Sequence, residues 1–140
     1  MENLRQLPFV REMIVEAVES ISGQISYREI ISWINSNYSG INEKTIRAQI
    51  IVLTVNHESR VHYPEINTPR ITRSDNVYDF LFRLRKGEGV VERYEVEKHG
   101  IWEVYQSSDN KLKIRRQIDN LTDKVFTPND ILVLPQKTVP

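Results

Sequence analysis

The stretch from Ile41 to Arg60, INEKTIRAQIIVLTVNHESR, constrains the fold of this chain more than any other. Ile46, Ile50 and Leu53 recur at i, i+4 and i+7, so they share one face of an α-helix. Lys44, Ala48, Ile51 and Val55 lie roughly opposite. The helix therefore has a polar, basic leading end and a trailing half that is apolar on nearly every side. Ile51, Val52 and Val55 require cover from another element, which leaves the leading end as the part on display.

The preceding residues supply what this helix packs against. Pro8 opens a pattern in which Val10, Met13, Ile14, Ala17, Val18 and Ile21 form one apolar stripe, and Gly23 closes it. Gln24 and Ile25 suit a short extended bridge, and Ser26 with Glu29 forms a capping-box pattern for a second helix. That helix carries Tyr27, Ile30, Ile31, Ile34 and Tyr38 on one face, with Gly40 at its end and Asn42 as N-cap of the next. Two helices joined by so short a Gly-containing turn have helix-turn-helix spacing. Trp33 falls on the opposite side of the second helix, where a three-helix core alone leaves it in water.

Residues 56–76 are polar and irregular, with Pro64 and Pro69 inside and Arg60, Arg70, Arg73 and later Arg83 bracketing them. Next, Phe80, Phe82 and Leu84 alternate with Leu81, Arg83 and Arg85, and Lys86-Gly87-Glu88-Gly89 turns the chain into Val90 to Val96. This predicts a β-hairpin. Ile101 to Tyr105 is a third alternating piece that pairs with the hairpin or ends the sheet. Helix, short strand, helix, turn, helix and hairpin is the element order of a winged helix-turn-helix. The expected fold is thus α+β over residues 1–105, a three-helix core with a β-hairpin wing. In residues 106–140, Ile114, Ile118, Leu121 and Val125 have helical spacing before Thr127-Pro128. They predict a C-terminal amphipathic helix and a short tail, packed on the same domain or on a second copy, with Trp33 as one candidate surface.

A chain of 140 residues, 39% hydrophobic and 27% charged, has the composition of one soluble domain with an appendage. The absence of cysteine excludes disulfides, thiolate zinc sites and a cysteine nucleophile, and fits a reducing cytoplasm. No apolar run approaches a membrane span, and MENLRQLPFV lacks the apolar core of a signal peptide, so a cytoplasmic protein is expected. With 19 basic and 19 acidic residues the global charge of a nucleic-acid binder is absent. Locally, residues 43–86 hold eight Lys/Arg against five Asp/Glu, around the third helix and first wing strand.

Recognition helices touch base edges near their N-terminal ends. Here that end offers Lys44 and Arg47 for phosphate or guanine, Gln49 for adenine and Ala48 for a thymine methyl, with Thr45 among them. Arg83, Arg85 and Lys86 on the wing suit backbone phosphates, although Glu88 and Glu92 near the tip repel them. The competing reading is an ordinary solvated helix face and a plain exposed strand. His57, Glu58 and His62 evoke a zinc-protease helix, but these histidines are five apart in an expected loop, and His99 is remote. No metal or cofactor is expected. Asp109-Asn110-Lys111 matches half of a Mg²⁺ nuclease motif only as a tripeptide, and Glu95 and Glu97 beside Lys98 miss the required spacing. No catalytic triad order or phosphate-cradling glycine loop stands out, so no catalytic residue is assigned and a non-enzyme is expected.

The residues N-E-K-T-I-R-A-Q-I from Asn42 and V-N-H-E-S-R-V-H-Y ending at Tyr63 resemble a winged-helix module known mainly from prokaryotic genomes. Asp79-Phe80-Leu81-Phe82, Gly87-Glu88-Gly89 and Glu97-Lys98-His99-Gly100-Ile101-Trp102 extend the resemblance over residues 8–105. That module occurs alone or beside restriction-type nuclease domains, and the resemblance implies DNA binding in restriction or defence settings. It carries over Asn42, Thr45, Arg47, Asn56, Ser59, Arg60, His62 and Tyr63. Asn42, Asn56 and Ser59 suit structural roles, which leaves Lys44, Thr45, Arg47, Arg60 and His62 for DNA. Nothing after Tyr105 is large enough for a catalytic domain, which favours a freestanding binder.

The expected function is binding of double-stranded DNA as a transcriptional regulator or restriction accessory, with homodimerisation through the C-terminal helix joining two half-sites. The alternative is a winged-helix protein-interaction module, which zero net charge suits equally well.

Overall fold

The computed structural model describes residues 7–117. Three helices form first: α1 (Val10–Ile21), α2 (Tyr27–Asn37) and α3 (Glu43–Leu53). Each start has a local cause. The Glu12 carboxylate accepts from Phe9 N at 3.0 Å ahead of α1. Ser26 and Glu29 exchange side-chain and backbone hydrogen bonds of 2.8 and 3.0 Å at α2, the reciprocal pattern of a capping box. The Asn42 carboxamide oxygen accepts from Lys44 N at 2.7 Å and Thr45 N at 3.3 Å at α3.

The expected stripes are the buried ones. Met13, Ile14, Ala17 and Val18 of α1, Ile30, Ile31 and Ile34 of α2, and Ile46, Ile50 and Leu53 of α3 form one core with Ile25, Leu81 and Val91. Trp33 is half-buried against this core and lies beside Glu16, Glu19 and Ser20 of α1, so its cover comes from its own fold.

β1 (Ile25–Ser26), between α1 and α2, pairs antiparallel with β4 (Val90–Arg93), which pairs with β3 (Leu81–Arg83) in the order β1-β4-β3. The exit of α3 is stitched to this hairpin: Phe80 N donates to Leu53 O at 3.1 Å and Val55 N to Leu81 O at 2.8 Å. Gly89 takes a positive φ of 60° in the hairpin turn, and its carbonyl accepts from Tyr27 N at 2.8 Å.

A second sheet departs from the expectation. β2 (Arg70–Ile71), β5 (Trp102–Gln106) and β6 (Leu112–Arg116) run antiparallel in the order β2-β5-β6. The Ile101 to Tyr105 piece thus joins a separate sheet, and Ile114 sits in a strand where a helix was expected. The reason is that LKIRR alternates: Leu112 and Ile114 turn inward while Lys111, Lys113 and Arg115 are exposed. A boundary at residue 105 would cut through the β5–β6 hairpin. Ile118, Leu121 and Val125, the rest of the expected C-terminal helix, lie outside the described residues.

Val52, Val61, Ile66 and Val104 form a second core, joined by Tyr63, Tyr78, Leu112 and Ile114. This core covers the trailing half of α3 through Val52, while Val55 is buried beside β3. The chain between α3 and β2 holds a 3₁₀ turn, Glu58–His62, that packs against both α3 and β6. A short helix, α4 (Val96–His99), links the sheets. Phe82 of β3 stacks on His99 at 4.0 Å and meets Trp102 of β5 at 6.0 Å. Among the described residues no helix is long and apolar enough to cross a membrane.

Candidate nucleic-acid interface

Lys44 and Thr45 are exposed in the first turn of α3, and Arg47 and Ala48 are partly exposed in the next. Arg47 Nε donates to Glu43 Oε2 at 3.2 Å, and Arg28 of α2 lies 4.0 Å from the same carboxylate. Gln49 departs from a free reading position: its Nε2 donates to Glu65 at 3.4 Å, turning it toward the chain after the 3₁₀ turn.

On the hairpin, Asn56 pins the strand that carries Arg83. Asn56 Oδ1 accepts from Arg83 N at 2.7 Å and its Nδ2 donates to Arg83 O at 2.9 Å. The Arg83 guanidinium then reaches Glu58 Oε1 at 2.6 Å, and Lys86 Nζ is 3.7 Å from Glu58 Oε2. Arg85 is exposed and pairs with Glu88 at 3.4 Å. Partial burial raises the Glu58 carboxyl, but its own backbone N–H, the Arg83 hydrogen bond and charge, and His57 outweigh that and bring it to about 2. Burial lowers the neighbouring His57, with Arg83 adding to the fall, and its Nδ1 accepts from Ser59 N at 3.1 Å.

Tyr27, the first residue of α2, ties these pieces together. Burial raises its hydroxyl pKa while Arg83 and Arg47 pull it down and Glu58 pushes it up. One phenol thus feels α3, the hairpin and the 3₁₀ turn. Tyr27 and Arg28 carry no motif that marks them in the sequence. The Ser26–Glu29 capping box puts both in the first turn of α2, and the helical stripe puts Tyr27 on its apolar face.

Arg60 is corrected. It is 0% exposed, so it does not reach DNA. Its Nε and Nη2 donate to Val52 O at 3.0 and 2.6 Å, and Nη2 also reaches Tyr78 O at 2.7 Å and Asp79 at 3.3 Å. The cation sits at the C-terminal carbonyls of α3, where the helix dipole favours it. Burial lowers its pKa to about 10, with Asp79 opposing and Arg70 adding to the fall. Arg70 also turns to Asp79, with contacts of 3.0 and 2.6 Å, and Arg73 pairs with Asp75 at 2.9 Å. Arg60 and Arg70 thus share one buried carboxylate, while Arg73 is held in a surface pair.

His62 is exposed at the end of the 3₁₀ turn. His99 is buried, its Nε2 donating to Glu92 Oε2 at 2.7 Å while Nδ1 accepts from Glu95 N at 3.0 Å. The Nδ1 acceptor role assigns the ring proton to Nε2. Among the described residues no group of three or more His, Asp or Glu is placed to hold a metal.

Helices, two small antiparallel sheets and a mixed-charge face define an α+β domain whose third helix is shared between two cores. The chain belongs to a family described as a domain of unknown function, DUF7669, whose model matches residues 9–88. No curated protein and no solved structure matches it.

Proposed function

We propose that this chain is a winged-helix protein that binds duplex DNA through the leading end of α3, with the β3–β4 hairpin as its wing. In this reading it is non-enzymatic and serves as a transcriptional regulator or as an accessory in restriction or defence. The observation that carries the reading is the strand order β1-β4-β3, which seats the hairpin against the start of α2 and the exit of α3. Arg47 and Arg83 both lie near enough to Tyr27 for their charges to act on its hydroxyl. Lys44, Thr45, Arg47 and Ala48 supply base and phosphate contacts, and Arg83, Arg85 and Lys86 meet the backbone. The type of each side chain fits these roles.

The test is fluorescence anisotropy with labelled duplexes across a salt series. Arg47→Ala is expected to weaken binding more than tenfold while leaving the melting temperature unchanged within error, because its pair with Glu43 is a surface one. Duplex affinity equal to wild type would remove α3 as the reading element. A protein-interaction role is the second reading, favoured by the carboxylates of Glu43 and Glu58 that neutralise cations on this face. Binding to a protein that is insensitive to salt, with none to duplex, would favour it.

A further inference from the structure

The last strand of the second sheet is unevenly charged. From Asn110 to Gln117 the sequence holds four basic residues and no acid. Strand geometry sorts them. Lys111, Lys113 and Arg115 alternate with Leu112 and Ile114, so all three stand on the outer face of β6 while the apolar pair enters the second core. Arg116 points inward, its guanidinium lying where a side chain at Gly100 would collide with it. β6 is the outermost strand of the order β2-β5-β6, so this basic row runs along a sheet edge.

Two further features fit a polyanion. Arg115 lies 3.9 Å above the Tyr105 ring, which holds its guanidinium on the outer face, and it also meets Glu103 at 3.1 Å. Lys113 is 3.5 Å from Asp109 and half-exposed, a surface pair that an incoming phosphate can replace at little cost. The 3₁₀ turn is the common neighbour of α3 and β6, and its Glu58 holds Arg83 and Lys86. Leu112 and Ile114 pack with Val52 of α3 and Val61 of the turn, so the basic row stands on the opposite face of the sheet from them. Alternate residues on a strand are about 6.6–6.8 Å apart, so three cations cover about 13 Å, enough to follow successive phosphates of one DNA strand.

We infer that the outer face of β6, through Lys111, Lys113 and Arg115, is a second phosphate-binding surface for duplex DNA, on the face of the sheet turned away from Val52 of α3. This rests on the duplex-binding reading and adds a surface to it. The β5–β6 hairpin lies outside the residues matched by the family model, 9–88, so this surface is an attribute of the chain beyond the matched unit.

The test compares the full chain with the triple variant Lys111→Gln, Lys113→Gln, Arg115→Gln and with a charge-preserving variant, Lys111→Arg, Lys113→Arg, Arg115→Lys. Binding to one duplex is measured from about 50 to 200 mM salt, the range over which phosphate contacts change affinity most visibly. The triple Gln variant is expected to bind more than tenfold more weakly at the low end. Its slope of log affinity on log salt should fall by about 2–3, near 0.9 for each phosphate lost. The charge-preserving variant should keep the wild-type slope. If the triple variant proves poorly folded by circular dichroism, Lys111→Gln alone should lower the slope by about 0.9. An unchanged slope in a protein whose binding is still lost with Arg47→Ala overturns this surface and leaves α3 as the reader. Absence of duplex binding by the full chain overturns both.

Discussion

Arg60 shows how far a single residue's role depends on where its backbone is held. A guanidinium with no exposure, four contacts of hydrogen-bond length and an Nη1 unpaired among the described residues is a buried cation matched by one buried carboxylate. Asp79 also binds Arg70 and accepts from Arg73 N at 2.9 Å, so one side chain ties the exit of α3 to β2 and to the entry of β3. Removing one partner of such a pair leaves the other charge desolvated and uncompensated. Asp79→Ala is therefore expected to cost about 3–5 kcal/mol in urea denaturation at neutral pH. Arg60→Lys should also destabilise, because an ammonium cannot replace the fork that spans Val52 O and Tyr78 O. An Asp79→Ala protein as stable as wild type would show that the network contributes nothing. Sequence alone could not mark this arginine as buried, since it stands in a polar, irregular stretch and its burial is decided by the second core.

At the scale of elements, the hairpin is held to the body of the protein by Glu58, and this contact has a pH signature. The Glu58 carboxyl is lowered from its ordinary 4.5 to about 2, so its stabilisation is complete above 4.5 and is lost as pH falls through about 2. Its side chain is 53% exposed, which screens the interaction to about 1 kcal/mol. Glu92 is shifted in the same direction, so the wild-type acid limb alone does not isolate Glu58. The difference between wild type and Glu58→Gln does. Urea titrations from pH 6 down to pH 2.5, roughly spanning the window, should converge as acid is added; parallel curves would rule the contact out. The three helices and this hairpin were legible because each combines a period with a cap: the 3.6-residue stripe of α1, the Ser26–Glu29 box, Asn42, and the Lys86-Gly87-Glu88-Gly89 turn. The second sheet was not. β2 has two residues, too short for any period, and Ile114 with Ile118 mimics a helical i, i+4 pair while LKIRR also alternates. Only the pairing of Trp102–Gln106 with Leu112–Arg116 decides between these patterns, and pairing is not a local property. Of the proposed interface, Lys44 and Lys86 are exposed and Arg47 partly exposed, as their positions in the sequence pattern suggest, whereas Gln49 is diverted by Glu65 from beyond the 3₁₀ turn.

Over the whole molecule, α3 belongs to two cores: Ile46, Ile50 and Leu53 face the helices, and Val52 faces the second sheet. Neither core can be lost without undoing a face of the same helix, and Phe82, His99 and Trp102 bridge the sheets as well. The described fold should therefore unfold as one cooperative unit. The chain has two tryptophans, Trp33 on the helical core and Trp102 in β5, so each sheet-bearing half carries its own reporter. In Trp102→Phe the fluorescence reports the helices, and in Trp33→Phe it reports the second sheet. Each variant's fluorescence transition in urea is expected to coincide with its own far-ultraviolet circular dichroism. Val52→Ala, which opens a cavity on the shared helix, should move both reporters to lower urea by the same amount, for a cost of about 2 kcal/mol. A Trp102 signal that is lost well before the helical ellipticity would mean that the second sheet opens by itself. The basic edge of β6 could then move apart from α3, and the phosphate-binding surface proposed for it would have to be tested with that opening included.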